Sequence, residues 1–104
     1  MRKMLPDRRR GTTIKFSHAA HSFIATVGFY PDGTVGELFV NTEMKSGSES
    51  DVNASDAAIA ISFALQYGCP LEVLRAAMKR NPDGSPMGPL GHALDLASEI
   101  PPGG

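Results

Sequence analysis

The chain offers few places where side-chain chemistry can concentrate: three histidines, one cysteine, one spaced acid pair and one short polar loop. His18 and His21 could begin a metal site, because imidazole is a common zinc ligand. Their spacing puts them on opposite faces of a strand unless the Ala19-Ala20 step bends, and no cysteine lies near to complete a tetrahedral set. They read as ordinary strand-end histidines, His92 stands far away in sequence, and neither metal nor other cofactor is expected. Cys69 lies at the start of a helix, where the dipole lowers a thiol's pKa. Flanked by Gly68 and Pro70, with no base beside it, it reads instead as a packing or capping residue. Asp95 and Glu99 are four apart and form an exposed like-charged pair more readily than an acid/base dyad. No catalytic residue emerges.

The polar loop is the nearest thing to a binding site. In Lys45-Ser46-Gly47-Ser48 the lysine supplies a point charge, the glycine admits close backbone approach, and the serines donate hydrogen bonds. The helix start that follows carries partial positive charge. The loop is not a Walker A sequence, which needs GxxxxGK[ST]. Glu49 and Asp51 would repel an anion and suit a helix N-terminus, so the same residues also serve as a plain strand-to-helix turn.

Charge is uneven. Arg2, Lys3, Arg8, Arg9 and Arg10 against Asp7 give the first ten residues +4, whereas the other 94 carry −5, within a total of −1. A basic arm over residues 1–11, flexible and without apolar period, is thus attached to a mildly acidic body. Arg8, Arg9 and Arg10, with Arg75, Lys79 and Arg80, form an alternative nucleic-acid-binding set, since arginines near phosphates release condensed counterions. The bland reading of the arm is a solvated tail. For Arg75, Lys79 and Arg80 it is compensation of a helix dipole.

The elements that must carry these residues follow from periodicity. Ile14 and Phe16 alternate with polar neighbours from Thr12 and mark a first strand. Phe23, Ala25, Val27 and Phe29 share one face of a second, whose other face carries Ile24, Thr26, Gly28 and Tyr30. Pro31-Asp32-Gly33 is a hairpin turn into the third strand, Val35–Val40. Such short connections make an antiparallel meander. From Asp51 to Tyr67 the residues Ala54, Ala58, Ile61 and Leu65 recur at helical spacing, ended by Gly68 as a left-handed cap. A second helix runs from Pro70 to about Arg80 and a short third one from Pro89. The expected fold is α+β: a three-stranded antiparallel sheet packed against two main helices plus a short C-terminal helix, in one domain over 12–100, with 101–104 a frayed tail.

A lone cysteine permits no intramolecular disulfide, which suits the cytoplasm. The basic start lacks the apolar segment of a signal peptide, and no apolar run is long enough for a membrane span.

Taken together, Gly36-Glu37-Leu38-Phe39-Val40, Lys45-Ser46-Gly47-Ser48 and Ser62-Phe63-Ala64-Leu65-Gln66-Tyr67-Gly68-Cys69-Pro70-Leu71-Glu72 resemble a TSCPD domain, over about Thr12 to Arg80. This small domain occurs at the C-terminus of adenosylcobalamin-dependent ribonucleotide reductases and in short free-standing bacterial proteins. The Leu5-Pro6 and Arg8-Arg9 start, with the Asn81-Pro82-Asp83-Gly84 and Pro89-Leu90-Gly91 to Leu96 ending, looks like the free-standing group. The Thr-Ser-Cys-Pro-Asp run that names the family is absent here. The resemblance implies a link to deoxyribonucleotide metabolism and a name, ribonucleoside-diphosphate reductase, inherited from the parent enzyme. Such a reductase needs a radical cysteine and cysteine pairs that one cysteine cannot supply. The expectation is a non-catalytic accessory module that binds a ribonucleotide reductase, a nucleotide-like anion or a second copy of itself. A homodimer is expected because a three-stranded sheet leaves edges that want partners.

Overall fold

The computed structural model describes residues 1–43 and 49–101. Six elements follow in order: β1 (Gly11–His18), β2 (His21–Phe29), β3 (Val35–Thr42), α1 (Glu49–Gln66), α2 (Leu71–Ala77) and α3 (Pro89–Ser98). The strands form an antiparallel meander in the order β1-β2-β3, so the α+β architecture and its topology are those expected. Residues 45–48, the polar loop singled out above, lie outside the described residues.

Two turns set the register. At Pro31-Asp32-Gly33 the glycine has φ 91°, the Asp32 carboxylate accepts from the Thr34 amide and hydroxyl at 3.0 and 2.7 Å, and the hairpin closes as the sequence suggests. The β1–β2 turn differs from expectation. Its two residues, Ala19 and Ala20, have φ 50° and 67°, so the step does bend, and His18 pairs directly with His21 across the hairpin. A two-residue turn with both central residues at positive φ matches the twist of the strands, and the strands extend to the turn to make that pairing.

One face of the sheet forms the core. Ala25, Val27, Leu38 and Val40 are at most 1 % exposed, and they meet Ala54, Ala58, Ile61 and Leu65 of α1 and Ala93, Leu94 and Ala97 of α3. The alternation of β2 and the helical spacing of α1 thus bury the two faces predicted from the pattern.

A second stripe on α1, adjacent to the apolar one, does something the pattern did not reveal. Asp51 Oδ1 accepts from the Thr42 amide at 2.9 Å, Ser55 Oγ donates to the Val40 carbonyl at 3.1 Å, and Gln66 Nε2 donates to the Gly36 carbonyl at 3.0 Å. Between them the Ser62 hydroxyl accepts from the Leu38 amide at 2.8 Å and lies 2.9 Å from the Leu38 carbonyl. Every second residue of β3, from 36 to 42, therefore has its outward backbone group met by a helix side chain. Here α1 takes the place of a fourth strand and seals the β3 edge, leaving β1 as the open one.

Gly68, at φ 102°, ends α1, with its amide and that of Cys69 returning to Leu65 and Ala64. The second helix is shorter than expected, stopping at Ala77 where Met78 turns extended. From there the chain closes a loop through Arg80 paired with Pro86, the Met87 amide on the Lys79 carbonyl and the Asn81 amide on the Ser85 carbonyl. Pro82 also disfavours helix at the residue before it.

Candidate functional site

The basic N-terminal stretch lies along one end of the sheet. Lys3 donates its amide to the Gln66 carbonyl at 2.7 Å, the Tyr30 hydroxyl donates to the Lys3 carbonyl, and the Arg10 carbonyl takes the Phe29 amide at 3.0 Å. Arg9 anchors it. Its Nε and Nη2 bind both oxygens of Glu37 at 2.6 and 3.1 Å, and its Nη1 donates to the Pro6 carbonyl. Such a bidentate pair fixes geometry as well as charge. The Glu37 side chain, 11 % exposed, lies over Gly28, where a Cβ would come 2.1 Å from its Oε2. Glycine at 28 is thus required by a close approach.

Between this stretch and the Pro31-Asp32-Gly33 turn opens a cleft of about 500 Å³ lined by Arg8, Arg9, Arg10, Tyr30 and Asp32. Arg9 is committed to Glu37. The Arg10 guanidinium sits 4.2 Å from the Phe29 ring centroid, and its Nη2 is buried with no hydrogen-bond partner among the described residues. Arg8 is exposed. Asp32 stays ionised, its pKa lowered chiefly by the hydrogen bond from the Thr34 hydroxyl. Neither Arg8 nor Arg10 has an ionic partner among the described residues, and two guanidiniums against one carboxylate leave the cleft positive. Arginine does not give up its proton, so the chemistry on offer is recognition of a phosphate or carboxylate by a planar fork of donors rather than acid–base catalysis.

The other sequence-predicted residues fall elsewhere. Arg75 and Arg80 converge on Asp95: Arg75 Nε at 3.0 Å and Arg80 Nη2 at 2.7 Å on one oxygen, with Arg80 Nη1 at 2.9 Å on the other. These hydrogen bonds, Arg80's the largest contribution, lower the Asp95 pKa to about 2. Asp95 is therefore no exposed partner of Glu99; it ties α3 to α2 and to the loop beyond it, and it absorbs charge that a basic patch would need. Lys79 remains exposed beside them. Cys69 is half-buried at the α1–α2 joint and borders a second cavity of about 460 Å³ with Lys3, Tyr30, Glu72 and Ser98. His18 and His92 place their Nδ1 atoms 3.1 Å apart, and His18 Nε2 lies 3.0 Å from the Met87 carbonyl. One Nδ1 must donate and the other accept. The described residues hold no group of three or more histidines, cysteines or acids disposed to bind a metal, and no helix among them is long and apolar enough to cross a membrane.

Sequence comparison resolves the lineage of this architecture, for residues 2–98 match the TSCPD domain. The chain belongs to the TSCPD domain family. The match takes in the N-terminal stretch as well as the sheet and helices. Relatives of this TSCPD chain include the vitamin B12-dependent ribonucleotide reductases of Rhodopirellula baltica, 47 % identical over 73 residues, and of Agrobacterium fabrum, 41 % identical over 71. These alignments take 70 % and 68 % of this chain but 7 % and 6 % of the reductases. The reductase of Streptantibioticus cattleyicolor is 39 % identical over 72 residues, 69 % of this chain and 12 % of the relative. The chain therefore corresponds to a small part of each enzyme. No solved structure gives a significant match.

Sequence reasoning named Arg8, Arg9 and Arg10 but not what divides their roles. In the sequence Glu37 is part of a strand pattern and Asp32 part of a turn, and only folding brings both to the arginines. The one available signal was a lone acid facing Gly28 on the outer side of the sheet.

Proposed function

We propose that this TSCPD chain is a non-catalytic binding module of deoxyribonucleotide metabolism that acts on a vitamin B12-dependent ribonucleotide reductase and takes a phosphate-bearing nucleotide in the arginine cleft. The observation that carries the reading is the extent of the match: 6–12 % of each reductase's length, supplied by a chain with one cysteine. Radical reduction of a ribose consumes a pair of thiols in each turnover, and Cys69 is alone. The Nη2 of Arg10, unpartnered among the described residues and beside the exposed Arg8, supports an anionic ligand.

Calorimetric titration of ribonucleotides and deoxynucleotides tests the ligand. Binding to wild type is expected, with a loss of about tenfold or more in Arg10→Ala, since a charge-assisted hydrogen bond is worth about 1.5–3 kcal/mol. Lys45→Ala, run beside it, separates the cleft from the polar loop at 45–48. No heat with any nucleotide removes the nucleotide reading. The accessory role is tested by adding the chain to a vitamin B12-dependent reductase and measuring turnover: altered rate with no turnover by the chain alone is expected, and deoxynucleotide formation by the chain alone would overturn it.

A further inference from the structure

The long helix is apolar on two opposite sides, and the fold uses only one of them. Ala54, Ala58, Ile61 and Leu65 are buried against the sheet. Val52, Ile59, Phe63 and Tyr67 recur at spacings of seven, four and four residues on the far side, each between 45 % and 61 % exposed. Large apolar side chains gathered in one solvent-facing stripe mark an interaction surface.

Two charges punctuate the stripe. The Arg2 guanidinium is held 4.5 Å from the Phe63 ring centroid, its Nε donating to Gln66 Oε1 at 2.6 Å. Asp56 stands on the same side, one helical turn before Ile59, exposed. Neither has an ionic partner among the described residues.

We infer that this face of α1 is the interface of a homodimer, in which two copies of the helix pack antiparallel about a twofold axis through the Ile59-Ala60 step. That operation is self-complementary. It sets Ile59 against the small Ala60 at the centre, allowing close approach, and Val52 against Tyr67 at each end. Between them it brings Asp56 of one copy to Phe63 of the other, where the second copy's Arg2 waits, so two equivalent ion pairs flank the axis. An isologous interface requires such reciprocal matching, and one acid and one base per chain, equidistant from the centre of the stripe, supply it. An unrelated partner has no reason to find its charges arranged in this mirrored order. The surface is distinct from the open β1 edge, because α1 itself occupies the other edge of the sheet.

The experiment is sedimentation equilibrium of the full chain over a range of concentrations, with far-UV circular dichroism as the folding control. Wild type is expected as a dimer. Asp56→Arg sets two cations together, and Arg2→Asp two acids, so each should raise the dissociation constant by about tenfold or more, the scale of close charge pairs at interfaces. The double variant Asp56→Arg with Arg2→Asp should restore the dimer, which simple surface damage would not. Ile59→Asp should give a folded monomer. A wild type that stays monomeric at every concentration, or a dimer that these variants leave intact, overturns the proposal. So does a monomer that uses these residues to bind a vitamin B12-dependent reductase instead.

Discussion

Ser62 buries a hydroxyl that does the work of a neighbouring strand. Its oxygen lies within 2.9 Å of both backbone groups of Leu38 and of the Ala58 carbonyl one turn earlier in its own helix. Removing it strands a buried amide, which costs about 1–3 kcal/mol because the lost solvation is not recovered. Ser62→Ala is therefore expected to lower the urea midpoint by that equivalent, while Ser55→Ala, at a part-buried position, should cost less. The residue-level logic at Arg9 is similar. The arginine run reads from sequence as a solvated arm, yet its middle member is bound by a glutamate from β3, and its last lies over a phenylalanine. Composition shows charge but not its partners. Asp95 illustrates the same gap, because its two arginines come from residues 15 and 20 positions earlier.

Among the elements, the β1–β2 hairpin carries strain that can be measured. Alanine at positive φ places its Cβ against the carbonyl oxygen, at about 1–2 kcal/mol per residue, and Ala19 and Ala20 both pay it. Replacing the pair by Asn-Gly, the preferred turn for this geometry, is expected to stabilise the protein by about 1 kcal/mol or more, raising Tm by several degrees. An unchanged or lower Tm in calorimetry would show that the turn is relaxed in solution. The strand and helix periods of the core were legible without coordinates, since Ala54, Ala58, Ile61 and Leu65 could be read as one face and proved to be buried together. The end of α2 was not. Its apolar residues continue to Met78 at helical spacing, but the loop closed by Asn81 and Ser85 offers competing backbone bonds that no local period records.

At the scale of the molecule, an ionic tie links α3 to α2 and to the loop beyond it, beside the apolar packing of Leu71 and Leu74 on the core. α2 buries no residue fully, and Asp95 binds α3 to it through Arg75 and to the following loop through Arg80. A carboxylate with a folded pKa of about 2 against 3.8 when free contributes stability that is complete above pH 4 and disappears as the pH falls toward 2. With its side chain 22 % exposed, solvent screening limits the contribution to about 1–2 kcal/mol. Denaturation of wild type and Asp95→Asn should differ by that amount or more at pH 6 and converge as the pH drops below 4. A difference that persists undiminished at pH 2 would assign the effect to packing rather than charge.

The order of the elements, the antiparallel meander, the apolar faces of β2 and α1 and the kinship with the TSCPD domain were all determined by the sequence alone. Each is a local or periodic property that residues a few positions apart impose on one another. Tertiary structure alone decided which charges are spent and which are free, that α1 completes the β3 edge with Asp51, Ser55, Ser62 and Gln66, and that its opposite face is left apolar and uncovered. Those outcomes depend on contacts between residues far apart in the chain, where a charge finds its partner only after the backbone has been folded around it.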